Sequence, residues 1–95
     1  MNMSIVIDPK DNVATALLNL DEGGVIKIKI GQCEKKIELR QPIPFGHKFA
    51  LRTIKKGEHV IKYGDVIGKA TQTIKEGEHV HIHNVESLRG RRDSK

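Results

Sequence analysis

Thr53-Ile54-Lys55-Lys56-Gly57-Glu58-His59-Val60 recurs twenty residues downstream as Thr73-Ile74-Lys75-Glu76-Gly77-Glu78-His79-Val80. Each copy sets an aliphatic residue before a polar pair. A glycine able to take positive φ follows, and a new strand starts near the valine. Leu20-Asp21-Glu22-Gly23-Gly24-Val25 is a fainter third copy. Two close copies are too few for a solenoid. They predict pseudo-symmetric strand–turn–strand corners within one body.

Outward from the repeat the chain reads as short β segments. Ser4-Ile5-Val6-Ile7 favours a strand and stops at Asp8-Pro9. Val25, Ile26, Ile28 and Ile30 alternate with Lys27 and Lys29. Gly31-Gln32-Cys33-Glu34 turns, and Lys36-Ile37-Glu38-Leu39-Arg40 returns with Ile37 and Leu39 on one face, an antiparallel hairpin. Gln41-Pro42-Ile43-Pro44 is an extended connector, because each proline restricts the residue before it. One helix is predicted: Val13, Ala16, Leu17 and Leu20 fall at i, i+3, i+4 and i+7, with Asp11 as the cap. The expected fold class is mostly β with one short helix.

Ninety-five residues suit a single domain, and 17 Lys+Arg against 12 Asp+Glu leave a net charge of +5. A chain this small buries only about 60–65% of its unfolded surface. That allows a packed core but not, in addition, a closed cavity of roughly 300 Å³ or more. An enzyme built on this chain would borrow walls from a partner. Apolar runs stop at four or five residues, far below the ~20 of a membrane span. The N-terminus lacks the basic start and long apolar stretch of a secretory signal. Cys33 is the single cysteine, so no intrachain disulfide forms, and a cytoplasmic protein is expected.

The charge is uneven: residues 1–33 carry −1 and residues 34–95 carry +6. Half of the latter lies in a tail, 89–95, beyond a domain expected over 5–88. Basic tails attract nucleic acid by counterion release. Three aromatics, Phe45, Phe49 and Tyr63, make no base-stacking platform. The tail reads as a solvated terminus, without nucleic acid as a partner.

Three groups of residues carry chemistry. In Glu78-His79-Val80-His81-Ile82-His83-Asn84, a strand would set the three histidines on one face and Val80 and Ile82 inward. Alternate Cα atoms lie roughly 6.5–7 Å apart, so neighbouring imidazoles can converge on a metal or an anion. An imidazole-rich solvent face is the competing reading. His79 has a counterpart in His59, which favours a shared corner role for both. His81 and His83 belong to the second copy alone, and are candidates to face a ligand. In Phe45-Gly46-His47-Lys48-Phe49-Ala50-Leu51, Lys48 offers fixed charge and His47 a proton donor or acceptor beside a flexible glycine, a pair suited to a carboxylate. A turn with two solvated polar residues explains the same letters. Lys62-Tyr63-Gly64-Asp65-Val66-Ile67-Gly68 suggests a turn into a strand, and it is not a dinucleotide fingerprint.

Taken in order, Asp11-Asn12-Val13-Ala14, Gly46-His47-Lys48 with Ala50-Leu51, Lys62-Tyr63-Gly64 with Ile67-Gly68, and Gly77-Glu78-His79-Val80-His81-Ile82-His83-Asn84 make one ensemble. It resembles the N-terminal SAF (antifreeze-like) domain of the altronate dehydratase family of sugar-acid dehydratases, over about residues 5–88. Galactarate dehydratase and the two-subunit sulfolactate sulfo-lyase are relatives of that family. The resemblance implies a small β-clip-like SAF domain. It also implies an enzyme that eliminates water from a sugar acid, altronate giving 2-dehydro-3-deoxygluconate. It further implies a divalent metal, typically iron, held with the main catalytic machinery in a much larger domain. No metal ligand in this chain is assigned by it. The chain then looks like a detached small subunit or a stand-alone form, partnered by a large catalytic dehydratase subunit. By the same resemblance His47 and Lys48 are the candidate catalytic residues, and Lys62, Tyr63, His81, His83 and Asn84 candidates to line the sugar-acid site.

Overall fold

Nine strands make up the described residues, 4–88, of a computed structural model. They are β1 (Ser4–Ile7), β2 (Val13–Thr15), β3 (Val25–Ile30), β4 (Cys33–Glu38), β5 (Lys48–Ala50), β6 (His59–Lys62), β7 (Asp65–Ala70), β8 (His79–Val80) and β9 (Val85–Ser87). They form three three-stranded sheets, ordered β1-β3-β4, β2-β5-β8 and β6-β7-β9. The basic tail 89–95 lies outside the described residues. No helix of the described residues is long and apolar enough to cross a membrane.

The sheet β2-β5-β8 is a partition between two cores. Alternation along its strands sends Ala14 and Phe49 to one side and Val13, Ala50 and Val80 to the other. The first core adds Ile26, Ile28, Ile37, Leu39, Ile43 and Leu51; the second adds Ile54, Val60, Ala70 and Ile74. Full burial of each such large side chain contributes about 1.5–3 kcal/mol relative to exposure. The predicted hairpin is β3–β4, with Ile30 opposite Cys33 and therefore a two-residue turn at Gly31-Gln32.

The predicted helix over Asp11–Leu20 is not formed, and the described residues contain no helix. Val13–Thr15 is instead the strand β2, antiparallel to β5, and Leu17 and Leu18 of the supposed apolar face are exposed. A strand buried on both faces shows no period of two, so its run of small apolar residues imitated a helical stripe. A helix of nine or ten residues is marginal without packing, and pairing to β5 wins. Asp11 caps nothing helical; its carboxylate Oδ1 accepts the Gly64 N–H at 2.8 Å.

The repeated corners are real, and there are four of them. Gly23, Gly46, Gly57 and Gly77 take φ of 85°, 84°, 90° and 86°. Each glycine N–H donates to the carbonyl of a buried residue, Leu39, Ala16, Ala70 and Ala50 in turn. The N–H of that residue donates back to the carbonyl following the glycine, in Gly24, His47, Glu58 and Glu78, all at 2.8–3.0 Å. The aliphatic heads of the corners pair off as antiparallel bridges, Leu20 with Ile43 and Ile54 with Ile74. The fourth copy, Ile43-Pro44-Phe45-Gly46-His47-Lys48, is the one sequence reading passed over.

That fourth corner differs where it matters for the site. Glu58 and Glu78 fold back on their own turns, each Oε1 accepting a backbone N–H, from Lys55 and Lys75, at 2.8 Å. Pro44 stands at the Lys55 position and has no N–H to satisfy. The residue after Gly46 is thereby free of capping, and it is His47.

Candidate functional site

Strand register assembles the site. β5 and β8 are antiparallel, with Lys48 opposite Val80 and Phe49 opposite His79. The same register carried one residue beyond the ladder sets His47 opposite His81, and cross-strand neighbours stand about 4.5–5.5 Å apart at Cβ. The two rings are indeed stacked, with centroids 4.0 Å apart and planes 16° from parallel. His79, diagonal to His47, meets it edge to edge: His47 Nδ1 and His79 Nε2 are 2.8 Å apart. One of these nitrogens donates and the other accepts, so a single proton is shared between two half-buried imidazoles. His83 leans against His79 at 5.2 Å.

An asparagine holds this geometry from behind. The strand expected to run through His79, His81 and His83 ends at Val80, and the chain turns over His81–Asn84, leaving Ile82 84% exposed rather than inward. Asn84 is buried; its Oδ1 accepts the His81 N–H at 2.9 Å and its Nδ2 donates to the His79 carbonyl at 2.8 Å. The first copy of the repeat has the same grip from a different part of the chain. There Asn12 Nδ2 donates to the His59 carbonyl and Oδ1 accepts the Ile61 N–H. Asn84 therefore meets the imidazoles' backbone, where the resemblance had made it a lining residue.

The remaining candidates separate into two places. Lys48 is half-buried beside His81 in a groove of about 210 Å³ that also involves Val60, Ile67, Val80, Ile82, Val85 and Ser87. Lys62 and Tyr63 sit at the β6–β7 turn, Tyr63 at φ 54° and 81% exposed. The Lys62 ammonium lies 3.5 Å from the centre of the Tyr63 ring, so these two pair with each other rather than with the imidazoles. His79, read from sequence as a corner residue like His59, is instead at the centre of the cluster. Its signal lay in its partner: only the second copy faces a corner carrying His47.

Burial, then the neighbouring His83, His47 and His81, lower the His79 pKa below 6.5. His81 is lowered too, by desolvation first and then by His47, His83 and Lys48. At neutral pH both are uncharged, with nitrogen lone pairs available. An NMR titration is expected to place both midpoints below 6.5. The unfolded chain binds these protons first, so stability is flat above pH 6.5 and falls as pH drops through 6.5 towards the lower folded values. Urea unfolding between pH 7.5 and 5 checks this; a curve that rises on acidification would contradict it.

The described residues thus form a small all-strand domain that displays a hydrogen-bonded imidazole cluster, with Lys48 in the groove beside His81. The chain belongs to the altronate/galactarate dehydratase SAF domain family, matched over residues 2–88. It is similar to the altronate dehydratase of Escherichia coli, 46% identical over 83 residues, covering 87% of this chain and 16% of that protein. It is also similar to the altronate dehydratase of Bacillus subtilis, 38% identical over 87 residues, covering 92% and 17%. The (2R)-sulfolactate sulfo-lyase subunit alpha of Chromohalobacter salexigens is 48% identical over 54 residues, 57% of each chain. This chain thus spans about a sixth of the altronate dehydratases it matches.

Proposed function

We propose that this chain is the small subunit, or N-terminal-type part, of a sugar-acid dehydratase of the altronate type. In this reading it completes or covers the active site of a large catalytic subunit in the cytoplasm. The product would be a 2-dehydro-3-deoxy acid. The observation that carries the reading is the hydrogen-bonded His47–His79 pair on an open face, in a family whose altronate dehydratases have most of their length elsewhere.

Dehydration of a sugar acid removes the proton α to the carboxylate and expels the neighbouring hydroxyl as water. The neutral His47–His79 pair carries one proton between its rings and a second on the outer nitrogen of the accepting ring, which leaves the donor ring's outer nitrogen free. It can therefore accept the α-proton at one end and deliver a proton to the departing oxygen at the other. Lys48 supplies a fixed positive charge for the carboxylate and for the enediolate charge that develops on it. A divalent metal, iron in this reading, supplies Lewis-acid polarisation of the substrate oxygens when bound. The only group of metal-donor side chains recognised among the described residues is all imidazole. Ferrous sites are commonly completed by a carboxylate, so the iron is assigned to the larger subunit.

The test is reconstitution. The 95-residue chain and its large partner are expected to dehydrate altronate together and not apart. Full activity of the large chain alone would overturn the proposal. The similarity to a sulfo-lyase alpha subunit, itself a separate chain, favours one second reading in which sulfite leaves instead of water. Assaying sulfolactate and altronate with the same reconstituted pair separates the two.

A further inference from the structure

His47, His79 and His81 each present one ring nitrogen, and the three atoms lie within 4.8 Å of one another. We propose that these three imidazoles form a site for a divalent transition-metal ion of the zinc, cobalt or nickel kind on this chain itself. The site is additional to the iron assigned above to the large subunit. An ion there takes the place of the proton between His47 and His79, so the loaded chain and the acid–base pair of the proposed function are alternative states of one cluster.

Distance supports it first. Zinc–nitrogen bonds of about 2.0–2.1 Å put the ligands of a tetrahedral ion roughly 3.3 Å apart. His47 and His79, at 2.8 Å, need only a tautomer change, the bridging proton moving to the outer nitrogen of its own ring, and an opening of about half an ångström to reach that spacing. His81 now lies flat over His47, so its lone pair is not aimed between the other two. Turning that ring edge-on is the second adjustment needed. Rotation of the side chain is enough, because Asn84 grips the His81 N–H and the His79 carbonyl and so holds the backbone in place.

Donor chemistry supports it next. Neutral imidazoles suit zinc, cobalt and nickel, whereas magnesium and calcium take oxygen ligands. Three ligands leave a fourth position open, as in catalytic zinc sites. Lys48, which lines one groove with His81, opposes a bare cation and favours an anionic fourth ligand. Hydroxide or a carboxylate would satisfy both charges. The first copy of the repeat has no such set: Ile61 replaces His81 opposite nothing that binds metal, which makes His59 an internal control.

The experiment titrates the untagged 95-residue chain with cobalt(II). One ion per chain is expected, with the visible bands of four-coordinate cobalt, displaced by zinc. His47→Ala, His79→Ala and His81→Ala should each weaken binding at least about tenfold, since even outer groups of metal sites matter by that much. His59→Ala should leave it unchanged. Zinc added to the wild-type chain should shift the NMR signals of His47, His79 and His81 and not those of His59, a readout that survives any misfolding of a variant. Absence of binding, or binding that His79→Ala leaves intact, would overturn the proposal. Because the readout is spectroscopic and uses this chain alone, its failure is separate from failure of the dehydratase reading.

Discussion

Gly77→Ala is expected to destabilise the fold by about 3–5 kcal/mol, while Gly57→Ala, at the equivalent place in the repeat, removes about 1–2 kcal/mol. Both glycines sit at nearly the same positive φ, 86° and 90°, so both variants carry the same backbone strain. They differ in surroundings. A Cβ on Gly57 would meet nothing within 4 Å, whereas one on Gly77 would run into the Glu38 carbonyl oxygen and crowd its carbon. The obstacle is backbone, and it is pinned: the Arg40 N–H donates to the Gly77 carbonyl at 2.9 Å. The Arg40 Nε–H donates to the Glu76 carbonyl at 3.0 Å, and Lys35 pairs with the Glu76 carboxylate. Nothing there gives way cheaply. Denaturant unfolding of the two variants side by side measures the difference. Equal losses would mean that the corner can lift off the β4 end at little cost, and that the close approach at Gly77 is not a constraint on the fold.

The largest functional effect is expected at His47. Under the proposed function, His47→Ala in the reconstituted assembly lowers kcat by about 10²–10⁴, the usual range for a positioned acid or base. Stability should fall by only about 1 kcal/mol, the usual net contribution of the one hydrogen bond lost. The reason lies in the corner: Pro44 has removed the donor that Glu58 and Glu78 must satisfy in their copies, so the side chain after Gly46 has no turn to cap. His79→Ala should cost a similar factor, and the double variant little more than either single one, because two groups sharing one proton act as a unit. Multiplicative losses in the double variant would show that they work independently. A fall in stability large enough to explain the lost turnover would make His47 a structural residue.

The hairpin Val25–Glu38 could be read directly, because strict alternation of Ile with Lys and a glycine turn leave one arrangement open. The Thr53 and Thr73 repeats were equally legible. Each corner depends on letters within a few residues of each other: an aliphatic, a glycine at positive φ, and a strand start. Val13–Thr15 was not legible, since burial on both faces erased the period that would have marked a strand. The fourth corner escaped because proline and phenylalanine replaced the polar pair that marks the other copies.

For the site, the sequence by itself named His47, Lys48, His81 and His83 as chemistry-bearing residues and their β setting. What it could not supply was who meets whom. His47 and His79 are separated by 32 positions, and only the pairing of β5 with β8 brings their nitrogens to 2.8 Å. The turn at His81, which Asn84 closes, and the Lys62–Tyr63 pair are by contrast local contacts, which the alternation of the histidines concealed. Local chemistry determines a turn or a strand, because the interacting groups are neighbours in the chain. A register between distant strands is decided by two shared cores, and a slip of β8 by one residue would have sent His79 and His81 to the face opposite His47.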